Sequence, residues 1–207
     1  AQDFVAELLV QRLDVATVVV GHDFTFGKGA AGDVVLLQQI LQQENRDLHV
    51  VAPVKIGGLV CSSTKIREFL LQGRVEAVAT LLGRPYGLQG LVQHGDGRGR
   101  QLGAPTANVV TARELLPKNG VYATWCILPD GSKVPSITNV GMRPTFGGDD
   151  CRVECHVLDR DVDLYGKVVN VLFSTRLRAE MRFSDAGMLQ AQIKNDIEDA
   201  RRHLLGC

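Results

Sequence analysis

Five short runs of β-branched and aromatic residues follow Pro85, and they restrict the second part of the chain to a β-rich fold. Gly, Pro, Asp and Asn separate the runs, and these residues are typical of turns. The runs are Tyr86–Gln93, Gly120–Leu128, Lys133–Val140, Arg152–Leu158 and Lys167–Phe173. Their spacing predicts an antiparallel barrel or sandwich.

A helix is predicted after the last run. Ser184 is a favourable N-cap residue. The apolar residues after it recur at helical spacing and form one stripe. They are Leu189, Ile193, Ile197, Ala200 and Leu204. The sequence therefore predicts a helix with one buried face at the end of the chain.

The first 84 residues have a different pattern, in which helices alternate with buried strands. We expect a helix within residues 1–14 and another at about 34–45, capped by Asp33. Strands are predicted at Val15–Gly21 and Leu48–Val54, and a helix capped by Ser62–Thr64 comes next. This order predicts half of a doubly wound α/β sheet. A short helix from Val75 follows, and the Gly83-Arg84-Pro85 segment then ends this part of the chain, because proline disfavours continuation of a helix. The predicted domains are therefore 1–84 and 85–207.

The stretch His94–Asn108 contains four glycines, two arginines and one proline, which suits neither a helix nor a strand interior. Glycine lets the backbone approach a ligand, and arginine supplies positive charge, so the stretch suits a phosphate chain. Thr106 and Asn108 lie two apart, so they share a face in an extended segment and could hold Mg²⁺. A solvated hairpin loop is the alternative interpretation. A Walker A loop is excluded, because the stretch lacks Gly-Lys-Ser/Thr at the required spacing and does not lead into a helix.

Composition excludes several classes of function. The chain has 23 Lys plus Arg and 23 Asp plus Glu, so its net charge is zero, which argues against a general nucleic-acid or membrane-surface binder. No apolar run is long enough to span a bilayer. The five cysteines include no Cys-x-x-Cys pair, and Cys151 and Cys155 share a strand face, which favours buried free thiols and a cytoplasmic protein.

The second part of the chain resembles the riboflavin kinase module of bacterial bifunctional riboflavin kinase/FAD synthetases. The glycine-rich stretch looks like the kinase signature, and five later segments agree with it in order. These are Leu116–Tyr122, Asn139–Thr145, Val153–His156, Asp163–Lys167 and Arg178–Phe183. The resemblance implies a six-stranded antiparallel barrel closed by the C-terminal helix. It also implies transfer of the ATP γ-phosphate to the 5′-hydroxyl of riboflavin, with Mg²⁺ as cofactor.

The resemblance assigns roles to residues. Glu154 matches the catalytic glutamate, which would accept the proton of the riboflavin hydroxyl. Thr106 and Asn108 match the Mg²⁺ ligands. Tyr165 matches a position near the nucleotide in relatives, with a core aromatic as the alternative. The remaining assignments are Gly95, Gly97, Gly99 and Arg100 around the nucleotide phosphates, and Arg178 and Phe183 near the flavin.

The first part of the chain resembles the tail of the Rossmann-like FMN adenylyltransferase module of the same enzymes. Val20–Gly29 and Ser62–Arg67 carry this resemblance. The Gly-x-Phe-Asp-Gly-Val-His and His-x-Gly-His segments with which that module opens are not in the sequence. We therefore expect a truncated module that does not transfer adenylate.

The sequence leaves three hypotheses. The first is a riboflavin kinase that uses ATP and Mg²⁺. The second is that the chain is a fragment of a bifunctional riboflavin kinase/FAD synthetase. The third is a barrel that binds flavin or nucleotide without catalysis, although a mere binder has no need of the combination of Glu154, Thr106 and Asn108.

Overall fold

The computed structural model describes residues 1–94, 103–112, 115–145, 148–160 and 162–206. They form two compact units, Ala1–Cys61 and Ser62–Cys207. The predicted change at Pro85, from an α/β pattern to a β-rich pattern, lies inside the second unit. The two helices of residues 63–82 therefore belong to the same compact unit as the strands after them.

The first unit is a small α/β arrangement. A helix over Phe4–Arg12 precedes strand β1 (Thr17–Gly21), a short turn of helix at Lys28–Ala30, helix α1 (Val34–Gln43) and strand β2 (Asp47–Val51). β1 and β2 pair in parallel, as the β-branched runs predict. Asp33 caps α1, since its carboxylate accepts the N–H of Leu36 at 2.9 Å. A hairpin of β3 (Lys55–Ile56) and β4 (Leu59–Val60) was not predicted.

The core of this unit comes from the apolar faces of its helices and from the loop after β1. Val5, Phe26, Leu37 and Leu41 are buried together. The inward side chains of the two strands, including Val18 and Leu48, pack against them. Alternation along β1 places Val19 on the other face of the sheet, where it is exposed, so the prediction of buried strands holds for one face only.

Two helices open the second unit. α2 (Ser63–Gln72) begins at Ser62, whose hydroxyl accepts the N–H of Lys65 at 3.2 Å. It ends at Gly73, which has a positive φ of 78°. α3 (Val75–Leu82) comes next and buries Val75, Val78 and Leu81.

The rest of the second unit is a closed barrel of six strands, as the resemblance implies. Their order around the barrel is β10-β5-β6-β9-β8-β7. They are β5 (Tyr86–Gln93), β6 (Ala107–Val110), β7 (Gly120–Ile127), β8 (Lys133–Thr145), β9 (Gly148–Val157) and β10 (Val168–Arg178). All pairs are antiparallel.

Two strand predictions are corrected. The runs named in the sequence omit β6, which has only four residues and begins at Ala107, inside the stretch His94–Asn108. β8 continues through Thr145 in pairing with β9, whereas the predicted run ends at Val140. Backbone pairing with a neighbouring strand overrides the local turn preference there.

The C-terminal helix α4 (Ala186–Leu205) packs on the outside of the barrel. Ala200 is buried, and Ile197 and Leu204 of the predicted stripe pack beside it against Val121 and Ile137. The predicted cap is wrong by one residue. Asp185 is the N-cap, because its carboxylate accepts the N–H of Met188 at 2.8 Å and it also suits the helix dipole.

Candidate functional site

Three polar side chains form a row across adjacent strands of the barrel. Asn108 of β6 is paired with Glu154 of β9, and Glu154 is paired with Asn139 of β8. All three are partly buried. Their neighbours in the chain, Val109 and Cys155, are buried and belong to the opposite set of alternating positions. The row therefore lies on the outer face of the barrel, as alternation along β9 predicts for Glu154.

Glu154 keeps contact with solvent. Its side chain is 32% exposed, and one of its oxygens, Oε1, lies 4.0 Å from Nη1 of Arg152. Alternation puts Arg152 on the same face of β9. A carboxylate that is half-buried and reachable from a cavity can accept a proton from a bound hydroxyl.

The side chain of Glu154 lines a cavity of about 390 Å³ on the helix side of the barrel. We call it the helix-side cavity. Its polar lining consists of Thr106, Asn139, Glu154, His156, Arg178, Glu180 and Asp196, and its apolar lining includes Val121, Ile137, Met181, Phe183, Leu189 and Ile193. Polar groups and apolar walls together suit a ligand that has an apolar ring system and a hydroxylated chain.

Arg178 and Phe183, which the sequence assigns to one site, do line this one cavity. The guanidinium carbon of Arg178 lies 6.0 Å from the centre of the Phe183 ring. Arg178 is also tied to helix α4. Its Nε donates to both oxygens of Asp196 at 2.8 and 3.0 Å, and its Nη2 donates to Oδ2 at 2.6 Å.

Asp196 is 3% exposed and also accepts a hydrogen bond from Gln192 Nε2 at 2.8 Å. Asp196 is not among the residues predicted from the sequence. A signal was available, because Asp196 is a charged residue adjacent to Ile193, Ile197 and Ala200 of the apolar stripe. A buried carboxylate in that position needs a cationic partner from another element.

Glu180 and Gly141 meet at the edge of the helix-side cavity. A Cβ atom on Gly141 would lie 2.4 Å from Oε1 of Glu180. Asn119 Nδ2 donates to the other oxygen of Glu180 at 3.2 Å. A larger residue at position 141 would therefore require the Glu180 carboxylate to move.

A second cavity of about 450 Å³ lies beside the turn that precedes β10, and we call it the turn-side cavity. It is lined by Val92, Pro105, Thr106, Ala107, Cys155, Val157, Arg160, Val162, Asp163, Leu164 and Tyr165. Thr106 lines both cavities. This residue therefore lies where the two cavities approach each other.

Tyr165 is 40% exposed and stacks on His94, with ring centres 3.8 Å apart and planes 20° from parallel. The alternative interpretation of Tyr165 as a core aromatic is therefore not supported. Its turn is held by Asp163, whose carboxylate accepts the N–H of Tyr165 at 3.1 Å. The sequence did not predict the contact with His94, since the two residues are far apart along the chain.

Cys155 lines the turn-side cavity from inside the barrel and is 1% exposed. It is a free thiol, as predicted, and so is Cys126. Hydrogen bonding with Cys155, together with burial, raises the pKa of the Cys126 thiol. Cys126 therefore stays protonated near neutral pH and is a poor nucleophile.

Gly95, Gly97, Gly99 and Arg100, the predicted phosphate-binding residues, lie outside the described residues. Within the described parts of the chain, no group of three or more His, Cys, Asp or Glu side chains is placed to hold a metal ion. No helix there is long and apolar enough to cross a membrane.

Comparisons with known proteins agree with both resemblances. Residues 82–204 match the family model for riboflavin kinase, and residues 1–65 match the model for FAD synthetase. A bifunctional riboflavin kinase/FMN adenylyltransferase from Escherichia coli (strain K12) is 39% identical over 201 residues, which cover 97% of this chain and 64% of the relative. A protein with the same name from Pseudomonas fluorescens is 38% identical, with 97% of this chain and 65% of the relative covered.

A solved structure agrees along the same span. A protein from Streptococcus pneumoniae, described as a macrolide-efflux protein, is 33% identical and superposes with a TM-score of 0.84 over 97% of this chain and 64% of its own. The chain thus spans a little under two thirds of the curated relatives that it matches. On the match over residues 82–204, this chain belongs to the riboflavin kinase family.

Proposed function

We propose that this chain transfers the γ-phosphate of ATP to the 5′-hydroxyl of riboflavin and produces FMN and ADP. The observation that carries the proposal is the position of Thr106 in the walls of both cavities, next to the paired residues Asn108 and Glu154. Transfer between two substrates requires two sites that meet at the reacting atoms. Family membership supports riboflavin and ATP as the substrates.

Riboflavin is assigned to the helix-side cavity. The apolar walls from β7, β8 and α4 suit its ring system, and Phe183 and Arg178 can flank a planar heterocycle. Thr106, Glu154 and Asn139 form a polar wall that suits the ribityl hydroxyls. This arrangement would direct the terminal hydroxyl toward Glu154.

The nucleotide is assigned to the turn-side cavity. Tyr165 offers an aromatic surface at its edge, and Arg160 provides a cation. The glycines and Arg100 of residues 95–100 are proposed, from the family resemblance, to bind the phosphates. The γ-phosphate would then approach the helix-side cavity near Thr106.

Glu154 is proposed as the general base. As the riboflavin oxygen attacks the γ-phosphorus, its proton passes to the Glu154 carboxylate. A P–O bond forms, and the bond between the γ-phosphorus and the oxygen bridging to the β-phosphate breaks, with ADP as the leaving group. A positioned base of this kind typically contributes about 10²–10⁴-fold to the rate.

Thr106 and Asn108 are proposed to hold Mg²⁺. Thr106 directly precedes β6, and Asn108 lies in it. The two residues are two positions apart, so they share a face in an extended segment, and both side chains carry neutral oxygens. Such a set fits Mg²⁺, which prefers to keep waters and substrate phosphates among its ligands. When bound, the ion would neutralise charge on the transferred phosphate.

The proposal is tested by incubating the chain with riboflavin, ATP and Mg²⁺ and separating the flavins by chromatography. We expect FMN and an equal amount of ADP. Riboflavin that stays bound without turnover would favour the binding-barrel alternative and refute the kinase.

Substitution of Glu154 tests the base. Glu154→Gln should lower kcat by about 10²-fold or more and leave ADP affinity nearly unchanged, because only the proton acceptor is lost. Glu198→Gln is the matched control, since Glu198 is an exposed residue on α4. Full turnover by Glu154→Gln would rule out Glu154 as the base.

A second candidate function rests on the match of residues 1–65 to FAD synthetase. The relatives carry FMN adenylyltransferase in their names, and FAD among the products of the same incubation would assign that activity to this chain as well. We also propose the predicted division into an adenylyltransferase part, 1–84, and a kinase domain, 85–207. The cytoplasmic location stays a prediction.

A further inference from the structure

His156 lies two residues beyond Glu154 on β9 and lines the same helix-side cavity. Its ring nitrogen Nδ1 is 2.7 Å from the carbonyl oxygen of Pro105. A carbonyl oxygen can only accept, so Nδ1 carries the proton. The contact therefore selects the Nδ1-protonated tautomer whenever the ring is neutral.

The contact lies where the pairing of β6 with β9 stops. The ladder pairs Asn108 with Glu154 and Ala107 with Cys155, and β6 begins at Ala107. Pro105 has no N–H with which to extend that ladder. The bond from His156 thus holds the backbone just beyond the last paired residue.

Thr106 lies between these two attachments. The ladder fixes the backbone at Ala107 on one side, and the imidazole fixes the carbonyl of Pro105 on the other. Thr106 also lines both cavities. A displacement of Pro105 would therefore move Thr106 relative to both proposed substrates.

We propose that His156 is a positioning residue for phosphoryl transfer, acting through its Nδ1–H bond to the Pro105 carbonyl. The bond keeps Thr106 in place at the point where the two proposed substrate cavities approach each other. This inference rests on the proposed kinase function. Misplacement of a reacting group by about 1 Å can cost about 10²-fold in rate, so loss of the bond should lower kcat more than it raises either KM.

Two amide substitutions distinguish the role of Nδ1 from that of Nε2. His156→Asn places an N–H donor near the position of Nδ1, and His156→Gln places one near Nε2. We expect His156→Gln to lower kcat by about 10- to 100-fold, with KM for riboflavin and for MgATP changed less than about 3-fold. His156→Asn should recover kcat to within about 3-fold of the unsubstituted chain.

Equal losses in the two variants, or full kcat in His156→Gln, would overturn the proposal. A rise in KM for riboflavin with kcat intact would also overturn it, because His156 would then contact the substrate. Thermal unfolding of both variants separates these outcomes from misfolding. If His156→Gln does not fold, the comparison of His156→Asn with His156→Ala replaces it.

A readout that needs no turnover separates this inference from the kinase proposal. In the ¹⁵N NMR spectrum of chain labelled with ¹⁵N-histidine, His156 should show a protonated Nδ1. The signal is assigned to His156 because it should be missing from the spectrum of His156→Asn. If the chain made no FMN, the kinase function would fail while the hydrogen bond could still be observed. If FMN were formed and His156 carried its proton on Nε2, the positioning role alone would fail.

Discussion

The ion pair between Arg178 and Asp196 gives a quantitative prediction for the stability of the second unit. Asp196 accepts three hydrogen bonds from Arg178 and one from Gln192, all within 2.6–3.0 Å. The two side chains of the pair are 19% and 5% exposed. Substitution Asp196→Ala would leave the guanidinium largely buried without its carboxylate.

The expected cost can be worked from this geometry. Breaking a buried ion pair by removing one partner costs about 3–5 kcal/mol. Arg178 keeps a hydrogen bond from Nη1 to the carbonyl of Ala179 at 2.9 Å and some contact with solvent. We therefore expect the lower end of that range, about 3 kcal/mol of unfolding free energy for Asp196→Ala.

Urea unfolding followed by tryptophan fluorescence measures this cost. Trp125 is the single tryptophan of the chain and lies on β7 of the barrel, so the signal reports on the second unit. Arg201→Gln is a control on the same helix, where Arg201 pairs with Asp159 and both side chains are about half exposed. That control should change the free energy by no more than about 1 kcal/mol.

The double substitution Arg178→Met/Asp196→Leu separates the charge from its packing. It removes both buried charges, so it should recover most of the stability that Asp196→Ala loses. It should not recover riboflavin binding if Arg178 contacts the flavin. A loss below about 1 kcal/mol in Asp196→Ala, at an unchanged m value, would refute the buried-pair reasoning.

Two further predictions concern the metal and the cap of α4. Thr106→Ala should raise the Mg²⁺ concentration needed for half-maximal turnover, whereas Thr106→Ser, which keeps the hydroxyl, should not; an unchanged Mg²⁺ titration in Thr106→Ala would remove Thr106 from the metal site. The hydrogen bond from the Met188 N–H holds the pKa of Asp185 below its usual value, so its stabilising effect is complete above the ordinary pKa and disappears as pH falls through the lowered one. Asp185→Asn should therefore lower the melting temperature at about pH 7 and have a progressively smaller effect as pH falls below the ordinary Asp pKa of about 3.9, and a difference that did not change with pH would contradict the linkage.

Much of the local structure is predictable from the sequence. Alternation in β9 predicts that Glu154 faces away from Cys155, and the spacing of apolar residues predicts the face of α4 that packs on the barrel. Asp33 and Ser62 are confirmed as caps. These features depend on residues within a few positions of one another. The cap of α4 was assigned to Ser184 rather than Asp185 because both residues are good N-caps and the sequence does not distinguish them.

The series of motifs by itself identifies the family and the candidate residues Glu154, Thr106 and Asn108. Only the tertiary structure brings Asn108 beside Glu154, and places Thr106 in the walls of two cavities. It also decides that Arg178 pairs with Asp196 and that His156 bonds to Pro105. The physical reason is that local patterns fix which way a side chain faces, whereas its partner depends on strand order around a closed barrel and on the seating of a helix, which involve residues far apart in the chain.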